Sequence, residues 1–143
     1  MRPVKKPVIY EELTYRLIGI AFEVHKELGS VHKENVYQNA FCLELSSLGI
    51  PFQKEQALEV SFKGKKVGVY KPDIVVDGKV VIEIKALPVL FQDAESQLSY
   101  YLKGSNFRVG LLLNFGSPKL QIKRRIYGWS EAHTLIVKSN EQV

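Results

Sequence analysis

The sequence predicts an α/β domain, a mixed sheet of four to five strands flanked by helices. Three patterns carry this expectation. Apolar residues recur at helical spacing in the first third, β-branched runs broken by turn residues fill the middle, and one more helix separates them from a short, wholly apolar stretch.

Over residues 10–28, Leu13, Leu17, Ile20, Ala21, Val24 and Leu28 recur at three and four residues, and Gly29 stops the run. A second helix is expected over 34–48, with Val36, Tyr37, Ala40, Phe41 and Leu48 on its apolar side and Gly49 as terminator. A three-strand meander follows: 56–62, a basic turn at Lys63-Gly64-Lys65, 67–76, the Asp77-Gly78 turn, and 79–86. Pro88 separates it from a third helix over 92–103, ended by Gly104-Ser105-Asn106. Residues 107–114, almost wholly apolar after Arg108, read as a buried central strand. Gly116-Ser117-Pro118 then turns the chain into an alternating basic and apolar strand over 120–127. The expected organisation is an N-terminal arm at 1–9, a single domain at 10–138 and a polar, flexible tail at 139–143.

A 143-residue chain buries roughly two thirds of its unfolded surface as one domain and needs no covalent staple. It is 45% hydrophobic and 24% charged, and no apolar run approaches the roughly 18 residues of a membrane helix. Arg2, Lys5 and Lys6 are not followed by the apolar stretch of a signal peptide. The single cysteine, Cys42, cannot form an internal disulfide. A cytoplasmic protein with no membrane partner is expected. The net charge of +5 and pI near 9.3 come with clustered positives, Lys63, Lys65 and Lys66, then Lys119, Lys123, Arg124 and Arg125. Such clusters suit an anionic partner, although a solvated lysine face is their commoner meaning.

The chemistry is concentrated between Pro72 and Lys85, where Asp73, Glu83 and Lys85 sit in an otherwise apolar hairpin. Burying such charges is costly unless they are paired or hold a metal. Glu83 and Lys85, two apart on a strand, share a face with Val81. A two-residue Asp77-Gly78 turn would set Asp73 opposite Ile82, on the other face. A three-residue loop, Val76-Asp77-Gly78 with Gly78 left-handed, sets Asp73 opposite Val81 and leaves Ile74, Val80, Ile82 and Ile84 as a clean apolar face. The odd-length loop is expected. Two carboxylates about 4 Å apart repel by several kcal/mol at the dielectric of a partly buried site. A divalent, oxygen-liking ion such as Mg²⁺ or Mn²⁺ offsets this and leaves Lys85 for a water or a phosphate oxygen. Taken alone, Asp-x9-Glu-x-Lys is also compatible with a surface hairpin bearing incidental charges.

With Pro72-Asp73 and Glu83-Ile84-Lys85, the chain resembles the PD-(D/E)XK nuclease superfamily, and within it the small GxxExxY-type predicted nucleases. Leu28-Gly29 followed by Glu34-Asn35-Val36-Tyr37 is similar to the opening motif of that branch. Gln97-Leu98-Ser99-Tyr100-Tyr101-Leu102-Lys103 is similar to its later helix, and Asn114-Phe115-Gly116 to its next strand end. The motif's glycine three before the glutamate is Val31 here, which changes the loop into the second helix. The resemblance implies a restriction-endonuclease-like core and metal-dependent phosphodiester hydrolysis of nucleic acid, DNA rather than RNA. It implies a metal held by Asp73, Glu83, Glu34 and the Ile84 carbonyl, with Lys85 acting on the water or the transition state and Gln97 bordering the site. Tyr37 lies one turn from Glu34 and is expected to pack. Lys63, Lys65, Lys66, Lys123, Arg124, Arg125 and Tyr101 are the expected nucleic-acid contacts.

Other signals lead nowhere. His32-Lys33-Glu34 has the His-x-Glu of zinc deaminases without their paired cysteines. There is no Gly-x-Ser-x-Gly elbow and no phosphate loop. His25 and His133 are expected to be structural or solvated, and Tyr127 and Trp129 to pack. The alternative to an enzyme is a nuclease-fold module that binds nucleic acid or a protein without cutting. Specificity could come from a targeting protein or from a homodimer.

Overall fold

The computed structural model describes residues 10–127. The arm expected at 1–9, the tail at 139–143, Trp129 and His133 lie outside the described residues, as does the expected domain end at 138. Three helices, α1 (Glu11–Leu28), α2 (Glu34–Ser47) and α3 (Gln92–Ser105), surround strands β1 (Phe52–Lys54), β2 (Leu58–Phe62), β3 (Lys65–Tyr70), β4 (Ile74–Val76), β5 (Val80–Lys85), β6 (Val109–Asn114) and β7 (Gln121–Ile126). The main sheet runs β1-β4-β5-β6-β7. Only β5 and β6 are parallel, joined through α3, and the other neighbours are antiparallel. This is the mixed five-stranded, helix-flanked sheet of a restriction-endonuclease-like core.

Strand alternation divides the sheet into two apolar layers. Ile74, Val76, Val80, Ile82, Ile84, Leu111 and Leu113 face α1 and α2, against Leu17, Ile20, Tyr37, Phe41 and Leu45. Val75, Val81 and Leu112 face α3 and the β2–β3 hairpin, against Leu58, Tyr70, Leu98 and Leu102. Both faces of β5 and β6 are covered, which is why these strands read as continuous apolar runs. Fully buried side chains such as Phe41 and Leu98 each contribute about 2 kcal/mol or more.

The expected three-strand meander is not one sheet. β3 ends at Tyr70, and β2 and β3 form a separate two-stranded sheet, while β4 begins at Ile74 in the main one. Pro72 has no N–H to donate to a ladder, so the strand expected over 67–76 breaks there. The edge position beside β4 is taken by β1, a three-residue strand too short and too exposed to carry a periodic signal.

The β4–β5 loop is odd in length, as expected, but shifted by one residue. Val76 pairs with Val80 and Val75 with Val81, leaving Asp77, Gly78 and Lys79 as the loop. Asp77 and Gly78 take the left-handed conformation, at φ 51° and 62°. The shift keeps Val76 fully buried in the core, where a loop position would have exposed it. Extending this register sets Asp73 level with Glu83 rather than Val81. The parity is unchanged, so both carboxylates stay on the α3 face.

Candidate active site

Asp73 follows Pro72 just before β4, and Glu83 and Lys85 close β5. Glu83 Oε1 accepts from the Asp73 backbone N–H at 3.1 Å and from the Tyr70 hydroxyl at 2.9 Å. Asp73 Oδ2 in turn accepts from the Ile84 backbone N–H at 2.7 Å. The two acids are therefore interlocked through each other's strands. Burial, then repulsion from Asp73, pushes the Glu83 carboxyl up to about 7, against the opposing pull of Tyr70, the Asp73 amide and Lys85. Asp73 is raised by burial too, with the Ile84 amide, Lys85 and a hydrogen bond from Gln38 holding it back and Glu55 adding repulsion. The pocket is short of positive charge. Lys85 lowers both carboxyls without offsetting their burial.

Glu34 is the first residue of α2, where the helix N-terminus favours an anion. Burial raises its carboxyl, Lys85 lowers it and Asp73 raises it, so it shares the field of Asp73 and Lys85. Among the described residues, however, no three His, Cys, Asp or Glu side chains gather closely enough to hold a metal ion. The expected three-carboxylate ligand set is therefore not assembled: Asp73 and Glu83 form the pair, and Glu34 stands outside it.

Tyr37 packs, as expected. It is fully buried, stacks on Phe115 with ring centroids 4.7 Å apart, and donates its hydroxyl to the Gly29 carbonyl at 2.6 Å while accepting from the His32 N–H at 3.2 Å. It thus pins the turn that delivers Glu34. Val31 lies in that turn, 85% exposed and outside the left-handed region, so a β-branched residue fits where the motif has glycine.

On the α3 side, Gln97 and Tyr101 line a recess of ≈ 10 Å³ with Glu83, Lys85, Ala94, Leu98 and Leu112, room for about one water. The Tyr101 ring stacks on Tyr70 at 3.9 Å between centroids and 10° between planes, so one of its faces is taken up by packing. Asn114 closes the far end. Its side chain is clamped to both polar groups of the Leu87 backbone at 2.9 Å and donates to Gln121 at 2.8 Å, fixing the chain just after Lys85. Gly116 is required beside it, since a Cβ there would lie 2.3 Å from the Leu87 nitrogen.

The basic clusters divide. Lys63, Lys65 and Lys66 lie at the exposed β2–β3 turn, with Lys66 4.0 Å from Glu59. On β7, Arg125 forms an ion pair with Glu95 of α3, both side chains largely buried. Arg124 alternates to the opposite sheet face, where burial lowers its pKa and Glu11 raises it. Lys123 pairs in register with Leu112, itself opposite Glu83, and so stays on the site's face. Two contributors were missed in the sequence. Gln38 lies one helical turn beyond Glu34, a spacing that could have found it. Tyr70 had no signal, because the break at Pro72 is what turns it back to Glu83.

A family model described as the PD-(D/E)XK nuclease superfamily matches residues 11–125. No curated protein matches the chain. Among solved structures, one titled "Crystal structure of SSO0001" is similar at 17% identity with a TM-score of 0.49, over 91% of this chain and 63% of that one. The chain thus spans under two thirds of that protein's length. The matched span runs from the first helical residue to the last strand and takes in Glu34, Asp73, Glu83, Lys85 and Gln97. By that match, the chain belongs to the PD-(D/E)XK nuclease superfamily.

Proposed function

We propose that this protein is a metal-dependent nuclease that hydrolyses phosphodiester bonds in nucleic acid, DNA rather than RNA. The observation that carries the reading is the Asp73–Glu83 pair, two carboxyls held against each other with Glu83 pushed up to about 7 and Lys85 next on the same face. A cation is what such a pair lacks. Asp73, Glu83 and the Ile84 carbonyl fit Mg²⁺ or Mn²⁺, which often takes one or two carboxylates and completes its shell with waters and phosphate oxygens. When bound, the ion supplies positive charge to the scissile phosphate and acidifies a water.

The chain's own residues do the rest. Tyr70 and the Asp73 amide hold Glu83 Oε1 in place, so the carboxylate need not reorganise when the ion arrives. Lys85 stabilises the charge that develops on the phosphate or orients the attacking water. Glu34 acts across a water rather than as a direct ligand. Gln97, in the recess beside Glu83 and Lys85, orients a water or a phosphate oxygen. Lys63, Lys65, Lys66 and Lys123 draw in the backbone of the substrate. The buried thiol of Cys42 suits a reducing cytoplasm.

The second reading is a module that binds without cutting, favoured by the lack of a gathered three-acid set among the described residues. A panel of single-stranded, duplex, nicked and branched substrates with Mg²⁺ or Mn²⁺, run beside Lys85→Ala, separates the two. The enzyme reading expects metal-dependent cleavage that Lys85→Ala depresses far more than it weakens binding. Binding with no cleavage of any substrate refutes it.

A further inference from the structure

Helix α1 has a second apolar stripe that no other described residue covers. One face buries Leu17, Ile20, Ala21 and Val24. On nearly the opposite side of the helix, Tyr15 is 79% and Phe22 55% exposed, with half-buried Ile18 between them and exposed Gly19 alongside. Exposed Glu11 and Lys26 bound the stripe at its two ends. A Cβ built on Gly19 meets nothing within 4 Å, so a partner backbone can come close there.

The stripe is self-complementary. In an antiparallel pair related by a two-fold axis midway between Ile18 and Gly19, Tyr15 faces Phe22 of the other copy and Ile18 faces its Gly19. Glu11 then faces Lys26 of the other copy at both ends of a contact about 22 Å long. The geometry points to a homodimer in which α1 packs antiparallel against α1 of a second copy through Tyr15, Ile18, Gly19 and Phe22, closed by Glu11–Lys26 pairs. Small residues at the crossing let helix axes approach to about 8 Å. A parallel arrangement would instead set Glu11 against Glu11 and Lys26 against Lys26. A single helix pair is a small interface, which places the association at the weak end, with dissociation in the micromolar range. The inference is independent of any nuclease activity.

Sedimentation equilibrium from about 5 to 500 µM tests it. The wild type is expected to move from monomer to dimer over that range. Phe22→Glu should remain monomeric with its unfolding at low concentration unchanged, since Phe22 points to solvent. Glu11→Lys and Lys26→Glu should each weaken self-association roughly tenfold, because two attractive pairs become repulsive. Mixed one to one, these two variants should form a heterodimer of about wild-type affinity, as each end regains one Lys and one Glu. A monomer at every concentration overturns the proposal. So does a dimer indifferent to Phe22→Glu, or one indifferent to the two reversals and their mixing.

Discussion

Replacing Glu83 by Gln should stabilise the metal-free protein at alkaline pH and hardly at all in acid. Glu83 titrates at about 7 in the folded chain against an ordinary 4.5, so folding favours its protonated form. The stability it contributes is complete below about pH 4.5 and is lost as pH rises towards and through 7. A displacement of that size corresponds to about 3 kcal/mol, and residual solvent contact at the half-buried side chain trims it to about 2 kcal/mol. Gln keeps the shape, and its amide oxygen can still accept from Tyr70 and the Asp73 amide. Urea or thermal unfolding in EDTA should therefore show Glu83→Gln about 2 kcal/mol more stable at pH 8.5, roughly 6 °C in Tm for a domain of this size. At pH 4.5 the gain should shrink to a few tenths of a kcal/mol. Millimolar Mg²⁺ or Mn²⁺ should stabilise the wild type and not the variant, because the ion takes over the repulsion that Gln has removed. A gain equal at both pH values, or a loss at pH 8.5, refutes the argument that Glu83 is held as a repelled, desolvated acid.

Four further outcomes follow from particular contacts. Tyr70→Phe removes a hydrogen bond that favours ionised Glu83, so the Glu83 midpoint, read by carbon NMR of labelled glutamate, should move up rather than down. Gly116→Ala puts a Cβ 2.3 Å from the Leu87 nitrogen and should cost about 3 kcal/mol in urea unfolding; a neutral effect would mean the loop after Lys85 can move aside. Arg125→Ala leaves buried Glu95 without its ion-pair partner and should cost about 3 kcal/mol, whereas a residue whose role is phosphate contact would leave unfolding unchanged. Replacing Lys63, Lys65 and Lys66 together by Gln should weaken nucleic-acid binding on all sequences and reduce its salt slope by up to about three, with single-turnover cleavage at saturating protein near normal.

Much of the core and of the candidate site was legible in the sequence. Periodicity placed α1 and α2, and the break at Pro88 with the stop at Gly104-Ser105-Asn106 placed α3, each to within a few residues. Continuous apolar runs marked β5 and β6, because both of their faces are covered. Alternation alone put Glu83 and Lys85 on one face, and the glycine of the turn with the clean apolar partition favoured an odd loop that brings Asp73 to join them. Other features depend on what lies across space. Burial of Val76 chose which three residues form the loop, and so set Asp73 against Glu83. Pro72 could be read as a break, but only the sheet shows that it sends β3 into a separate hairpin and turns Tyr70 back onto Glu83 and Tyr101. Whether a basic residue meets solvent or an acid is equally non-local: Arg125 reads like Lys123 along the chain, yet Glu95, thirty residues away on α3, claims it. Local pattern reports the period of burial, whereas pairing, register and charge state are settled by neighbours the chain reaches only on folding.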